Sequence, residues 1–290
     1  MIGPWILAAR PKTLSAAVVP VLIGSALAAH EPAGVRWWVF VCALVGAVMI
    51  QVATNFINDA LDFKKGADTG QRLGPLRVTQ AGLISAEGVM RAAWLCLFFA
   101  AICGIPLLYR CGWPMLLVGL ASIAAAYLYT GGPYPLAYHG LGELFVIVFF
   151  GFIAVGGTFY AHSLQLTRSA LVAGFAAGAL ATVLLVINNL RDVDGDRRSN
   201  KRTTVVRFGT RFARAEIAFF ALAPFAADAL VAWMRDDRWL LLPLVALPLA
   251  IMLLVRVARS NGAELNRCLG IAGALQWAFG LLFVLGSVIG

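Results

Sequence analysis

The sequence predicts an all-α, polytopic membrane protein: a bundle of nine transmembrane helices forming one domain over residues 1–290, with two pseudo-repeated halves and a site at the cytoplasmic face. Three observations predict it. Hydrophobic residues make up 61% of the 290 positions and charged residues 13%, against about 25% charged in an ordinary soluble domain; mean hydropathy is +0.85. Nine apolar stretches approach or exceed the span of about 17 to 25 residues that a helix needs to cross the hydrocarbon. The basic residues are distributed unevenly between the connections on the two sides.

In chain order the predicted spans are residues 13–29, 37–55, 89–108, 114–130, 141–161, 170–187, 215–233, 239–255 and 268–289. With a cytoplasmic N-terminus, 18 of the 23 Lys and Arg fall inside and only Arg36, Arg110, Arg168, Arg235 and Arg238 fall outside. That split follows the positive-inside rule and places the chain in the cell membrane. The net charge of +9 is explained by topology and by contact with anionic lipid headgroups, so no nucleic-acid partner is implied. Residues 10–29 also resemble a signal peptide, but Pro20 interrupts the apolar run and the eight later spans require a first helix with this orientation. The five cysteines (Cys42, Cys96, Cys103, Cys111 and Cys268) lie in or beside spans without metal-ligand spacing and read as small packing residues.

Two polar clusters stand out against this background. The first holds Asn55, Asn58, Asp59 and Asp62, and the second Asn188, Asn189, Asp192, Asp194 and Asp196. Each has an Asn four residues before an Asp, which puts amide and carboxylate on one helical face at the end of an apolar segment. Ionisable groups at membrane depth cost about 2.5 to 3.5 kcal/mol each on insertion scales, so two retained sets point to use. Both clusters open the long connections, 58–88 and 191–214, on the predicted cytoplasmic side, and long ordered loops are usually functional.

Oxygen donors without His or Cys select hard cations. Mg²⁺ takes one or two carboxylates and completes its octahedron with water and substrate phosphate oxygens. Two facing sets therefore suit a diphosphate bridged by metal. Lys64, Lys65, Arg72 and Arg77 follow the first cluster, and Arg191, Arg197, Arg198, Lys201, Arg202 and Arg207 surround the second. Of these, Arg77 and Lys201, with Arg72 beside the first, are the candidates for direct phosphate contact. Simple helix capping by the Asp and Asn residues is the plainer alternative.

The runs Asn58-Asp59-Ala60-Leu61-Asp62 and Asn188-Asn189-Leu190-Arg191-Asp192-Val193-Asp194-Gly195-Asp196 resemble the paired aspartate-rich motifs of the UbiA superfamily of membrane prenyltransferases. Arg10-Pro11-Lys12-Thr13-Leu14, Gly74-Pro75-Leu76-Arg77, Tyr138-His139-Gly140-Leu141-Gly142-Glu143 and Val205-Val206-Arg207-Phe208-Gly209 point to the branch that acts on 1,4-dihydroxy-2-naphthoate in menaquinone synthesis. The resemblance implies Mg²⁺ held by Asp59, Asp62, Asp192 and Asp196. Asn55, Asn58, Arg72, Arg77, Asn188 and Lys201 would sit on the diphosphate, and transfer of the polyprenyl group would release CO₂ and yield demethylmenaquinol. Two positions depart from the pattern. Gly66 stands where the ubiquinone branch has another Asp, with Asp68 the nearest acid, and Asn200 stands where a Gly usually precedes Lys201.

Tyr127, Tyr129, Tyr134 and Tyr138 are candidates to face an allylic cation, or members of an interfacial aromatic belt. Lys12, Tyr134 and His139, with Glu143 near them, are the candidates for the aromatic acceptor. His162 falls at the far end of its span and receives no role. A secondary transporter would also carry repeated halves and intramembrane acids, but its site belongs near the midplane on broken helices, whereas these clusters run into basic loops. A UbiA-type enzyme for another acceptor, such as 4-hydroxybenzoate, is the alternative within enzymes.

Overall fold

The computed structural model describes residues 3–66 and 73–290. The order of helices is α1 Gly3–Ala9, α2 Ser15–Ala29, α3 Trp37–Lys64, α4 Ala86–Cys111, α5 Trp113–Leu128, α6 Gly142–Val146, α7 Gly157–Ser163, α8 Arg168–Arg191, α9 Val193–Arg198, α10 Thr204–Arg235, α11 Leu247–Arg259 and α12 Leu265–Ile289. No strand occurs among the described residues.

Each predicted apolar stretch coincides with helix, but not all are equally long. Seven helical units are long and apolar enough to cross a membrane, and the pair Gly3–Thr13 and Ser15–Ala29, bent by 52°, makes up to eight. The remaining stretch, the fourth in chain order, is α5, a 16-residue helix. It starts at Trp113 after Gly112, with Pro114 in its first turn, the usual place for a proline, and ends before Gly131-Gly132-Pro133. The span 142–163 is continuous, but Ile147–Gly156 within it is π-helical, a form that recurs at functional sites.

The core is densest around α8, whose interior is rich in Ala and Gly and buried almost throughout. Gly151 of the π-helical stretch lies so close to α8 that an added Cβ would stand 2.5 Å from the Gly174 carbonyl, so the two backbones touch as small residues permit in membranes. Outward faces of α4, α5 and α10 carry Trp94, Phe98, Leu117, Leu120 and Phe219 exposed. In a bundle of this hydropathy those faces meet lipid, which makes the chain an integral membrane protein.

Candidate active site

Helix α3 carries the first cluster without a break. Asn55, Asp59 and Asp62 are all buried on it. Asn55 donates through Nδ2 to the Ala9 carbonyl at 2.9 Å and to Thr13 Oγ1 at 3.1 Å, which ties α3 to the bend between α1 and α2. Asp59 accepts the backbone N–H of Thr79 at 3.0 Å. Asp62 accepts Arg77 Nη2 at 3.2 Å on one oxygen and the Tyr138 hydroxyl at 3.1 Å on the other. Residues 77–79 therefore fold back over the end of α3. Arg77 is only 5% exposed, and a guanidinium at that depth is tolerable only with a carboxylate beside it.

The second cluster departs from the expected single helical stripe. Helix α8 stops at Arg191, and Asp192 is its C-cap with φ −96° and ψ 9°. Asp196 lies on the separate short helix α9. The carboxylate of Asp192 is forked by its neighbour Arg191, at 2.8 Å from Nε and 2.5 Å from Nη2, and Arg191 reaches on to Asn266 Oδ1 at 2.9 Å. Asp194 is exposed and pairs only with exposed Arg197. Asn188 donates to the Leu184 carbonyl at 2.8 Å, the bond of an amide turned back on its own helix. Asp196 is buried and stands 3.8 Å from Lys201 Nζ. Asn200, just before that lysine, adopts φ 55°. This is the left-handed conformation that Gly favours and Asn tolerates, so its departure from the usual Gly preserves the turn.

Tyr138 joins the two clusters. Its hydroxyl bonds Asp62, and its ring lies 4.5 Å from Lys65 Nζ and 5.6 Å from Lys201 Nζ. Asp62, Tyr138, Lys201 and Asp196 thus form one chain of contacts between carboxylates 134 residues apart in sequence. Lys65 also donates to the Thr130 carbonyl, and the Thr130 hydroxyl bonds Asn58 Oδ1.

The segment carrying Tyr138 is fastened to the second loop by backbone. Arg202 N–H donates to the Tyr138 carbonyl at 3.0 Å and Arg207 Nη2 to the His139 carbonyl at 2.8 Å. Gly140 makes this approach possible: its φ is +69°, and a Cβ there would stand 2.9 Å from the Arg202 carbonyl. Glu143 fastens the other side, accepting Asn189 Nδ2 at 3.2 Å and Thr204 Oγ1 at 2.8 Å on one oxygen.

A cavity of about 340 Å³, mostly apolar in its lining, lies between the helices that carry the two clusters; none of the four aspartates lines it, whereas Asn55, Asn58 and Asn188 do. Its polar end is built from Arg10, Thr13, Asn55, Asn58, Tyr129 and Asn188. From there it follows α3 as far as Cys42, with Phe145, Phe149 and Phe150 on the facing wall. Arg10, which the sequence marks as part of a branch motif but to which it gives no site role, occupies a left-handed backbone position (φ 52°) at the bend between α1 and α2. Lys12, the residue expected at the acceptor, is exposed and is not among the lining residues. Tyr134 is exposed too, stacked on His139 with ring centroids 3.5 Å apart, and neither lines the cavity. Arg72 and Asp68 lie outside the described residues. His162 is fully buried, holding Ser25 at 3.0 Å and the Arg36 N–H at 3.1 Å, as a tie between helix ends.

Among the described residues no three His, Cys, Asp or Glu side chains gather into a ready-made metal cage. The donors are nonetheless of the right kind for a hard cation that needs only one or two protein carboxylates and takes the rest from phosphate and water.

An apolar cavity with Arg10, Asn55, Asn58 and Asn188 in its lining, inside a helical bundle whose α3 and α8 carry acids just beyond those amides, has the shape and chemistry of a membrane protein's site for an amphiphile. The chain belongs to the UbiA prenyltransferase family, whose model matches residues 17–280. It is 39% identical to a 1,4-dihydroxy-2-naphthoate octaprenyltransferase of Mycobacterium tuberculosis, covering 96% of this chain and 98% of that one. A protein of the same description from Escherichia coli is 34% identical over 97% of this chain and 94% of its own. Among solved structures, a UbiA homolog from Archaeoglobus fulgidus bound to GPP and Mg²⁺ superposes with a TM-score of 0.66 at 16% identity, covering 97% of this chain and 99% of its own. Another from Aeropyrum pernix K1 reaches 0.72 at 14% identity, covering 94% and 97%. The last two establish the fold.

Proposed function

We propose that this prenyltransferase moves a polyprenyl group from polyprenyl diphosphate onto 1,4-dihydroxy-2-naphthoate, releasing diphosphate and CO₂ and giving demethylmenaquinol for menaquinone biosynthesis. The observation that carries the reading is the Asp62–Tyr138–Lys201–Asp196 chain of contacts, together with an apolar cavity whose lining includes Asn55, Asn58 and Asn188, the amides that precede the acids on α3 and α8. The acceptor comes from the relatives' names, at 33% to 39% identity in four of them.

The diphosphate sits among Asp59, Asp62, Asp192 and Asp196, and Mg²⁺ bound there would neutralise the charge that grows as the allylic C–O bond breaks. Arg77, Arg191 and Lys201 already balance three of these acids, so donor and ion enter a site close to neutral. Lys201 and Arg77, with Arg72, contact the phosphate oxygens. Asn55, Asn58 and Asn188 line the passage from the head into the cavity, where the prenyl chain lies against apolar walls.

Arg10 lines the same polar end and is the group placed to pair with the acceptor's carboxylate. The ring carbon bearing that carboxylate attacks the allylic carbon, a C–C bond forms, and CO₂ departs leaving its electron pair to restore aromaticity. No protein nucleophile is required, and the chain contributes positioning and electrostatics. Nine crossings in two related halves, with the N-terminus and both acidic loops on the cytoplasmic side of the cell membrane, complete the reading. The placement of 18 of 23 basic residues supports it.

Purified protein with Mg²⁺ and a polyprenyl diphosphate, offered 1,4-dihydroxy-2-naphthoate or 4-hydroxybenzoate, tests this. Prenylation of the naphthoate with one CO₂ per product is expected. Transfer to the benzoate alone, or to neither, would overturn it.

A further inference from the structure

Gln51 lies on α3 one helical turn before Asn55, lines the cavity and is 8% exposed. Its Oε1 is buried without a hydrogen-bond partner, and no described group bonds the other end of its amide either. The other amides near the site differ: Asn55, Asn58, Asn188 and Asn189 each have a partner. A buried carbonyl left unsatisfied costs about 1 to 3 kcal/mol, and each such group in a native structure calls for an explanation.

The neighbours exclude the simplest one. Ala47, Ile50, Phe149 and Phe150 line the same cavity and carry no side-chain donor, and the hydroxyls of Thr54, Ser122 and Thr158, which line it too, make no bond to Gln51; that of Thr54 is turned back to the Ile50 carbonyl. The isoprenoid tail has no O–H or N–H to offer. The diphosphate is held near Asp59, eight residues along α3, or about 12 Å at 1.5 Å per residue. Of the molecules this reaction brings into the cavity, the aromatic acceptor is the one that offers a hydroxyl, which both donates and accepts and so satisfies the amide in either orientation.

The acceptor's geometry agrees with the spacing. Asn55, one turn along α3 from Gln51, bonds the Ala9 carbonyl and Thr13 on either side of Arg10, and Arg10 and Gln51 line the same cavity. With the carboxylate at Arg10, the adjacent 1-hydroxyl is occupied by its own carboxylate, and the 4-hydroxyl across the ring is free to reach deeper. We infer that Gln51 binds the 4-hydroxyl of the acceptor, so that Arg10 and Gln51 orient the ring from two points at the allylic carbon. This rests on the reaction proposed above and names a specificity residue for it.

The test measures dissociation constants of 1,4-dihydroxy-2-naphthoate and of 1-hydroxy-2-naphthoate, which lacks only the 4-hydroxyl, by calorimetry on the detergent-solubilised protein. Wild type is expected to bind the dihydroxy compound about 5- to 150-fold more tightly, the range one buried hydrogen bond supplies. Gln51→Leu should bring the two constants together while leaving KM for the polyprenyl diphosphate unchanged, a selective effect that a purely structural role would not produce. Gln51→Met offers the same comparison if the Leu variant does not fold. Equal affinities in wild type, discrimination retained in a folded variant, or a rise confined to the donor KM would each overturn the inference. If wild type binds the acceptor but transfers nothing to it, the reaction assignment fails instead, and the comparison of affinities still decides the role of Gln51.

Discussion

The two acidic clusters share a spacing but not a backbone. In the first, α3 runs straight through Asn55, Asp59 and Asp62, and tertiary contacts from Thr79, Arg77 and Tyr138 close over it. In the second, α8 ends at Arg191, Asp192 caps it, and Asp196 depends on a six-residue helix and on the turn at Asn200. One side of the head is thus a rigid rod and the other a folded loop. The rod fixes its acids through one continuous helix, while the loop fixes Asp196 through tertiary ties to Tyr138, His139 and Glu143.

Substitutions can break or sharpen that contrast. The largest effect is expected at Asp62, whose two oxygens serve Arg77 and Tyr138. Asp62→Asn should lower kcat by about 10² to 10³, the scale of losing one preorganised electrostatic group, and also lower Tm, because buried Arg77 loses its counter-charge. Asp192→Asn should reduce turnover strongly and lower Tm by less than Asp62→Asn: the Arg191 side chain, 1% exposed, loses its counter-charge but keeps its bond to Asn266, and the Asp192 side chain is 22% exposed. Equal losses of Tm in the two variants would erase the distinction between rod and loop. At the acceptor end, Arg10→Leu should raise the acceptor KM about tenfold or more, as expected for a charge-assisted pair, whereas Lys12→Leu should leave it within about twofold. A reversed order in steady-state kinetics would return the acceptor to the exposed lysine.

The helices were legible because a long apolar run in so hydrophobic a chain has few alternatives. The acid clusters were legible because charge at membrane depth is costly. What the sequence concealed was set by contacts across long separations. Arg10 and Lys12 flank the same proline and look alike by composition, and only the bonds from Asn55 to Ala9 and Thr13, more than 40 residues away, turn the chain so that arginine meets the cavity. Tyr134 and Tyr138 are likewise indistinguishable by spacing. The docking of Gly140 against Arg202 brings Tyr138 to Asp62 while Tyr134 stays at the surface. The break at Asp192 carries no proline. The one local hint was Gly195, a poor helix former four residues past the last apolar turn.

The central claim is that both clusters grip one diphosphate. Mg²⁺-dependent binding of geranyl thiodiphosphate, a slowly ionising donor analogue, to wild type, Asp62→Asn, Asp196→Asn and the double variant tests it most directly. Residues acting on one ligand are expected to couple by about 0.5 to 3 kcal/mol, so the double variant should lose clearly less affinity than the two single losses added together. Strictly additive losses, or no loss in one of the single variants, would contradict a shared site.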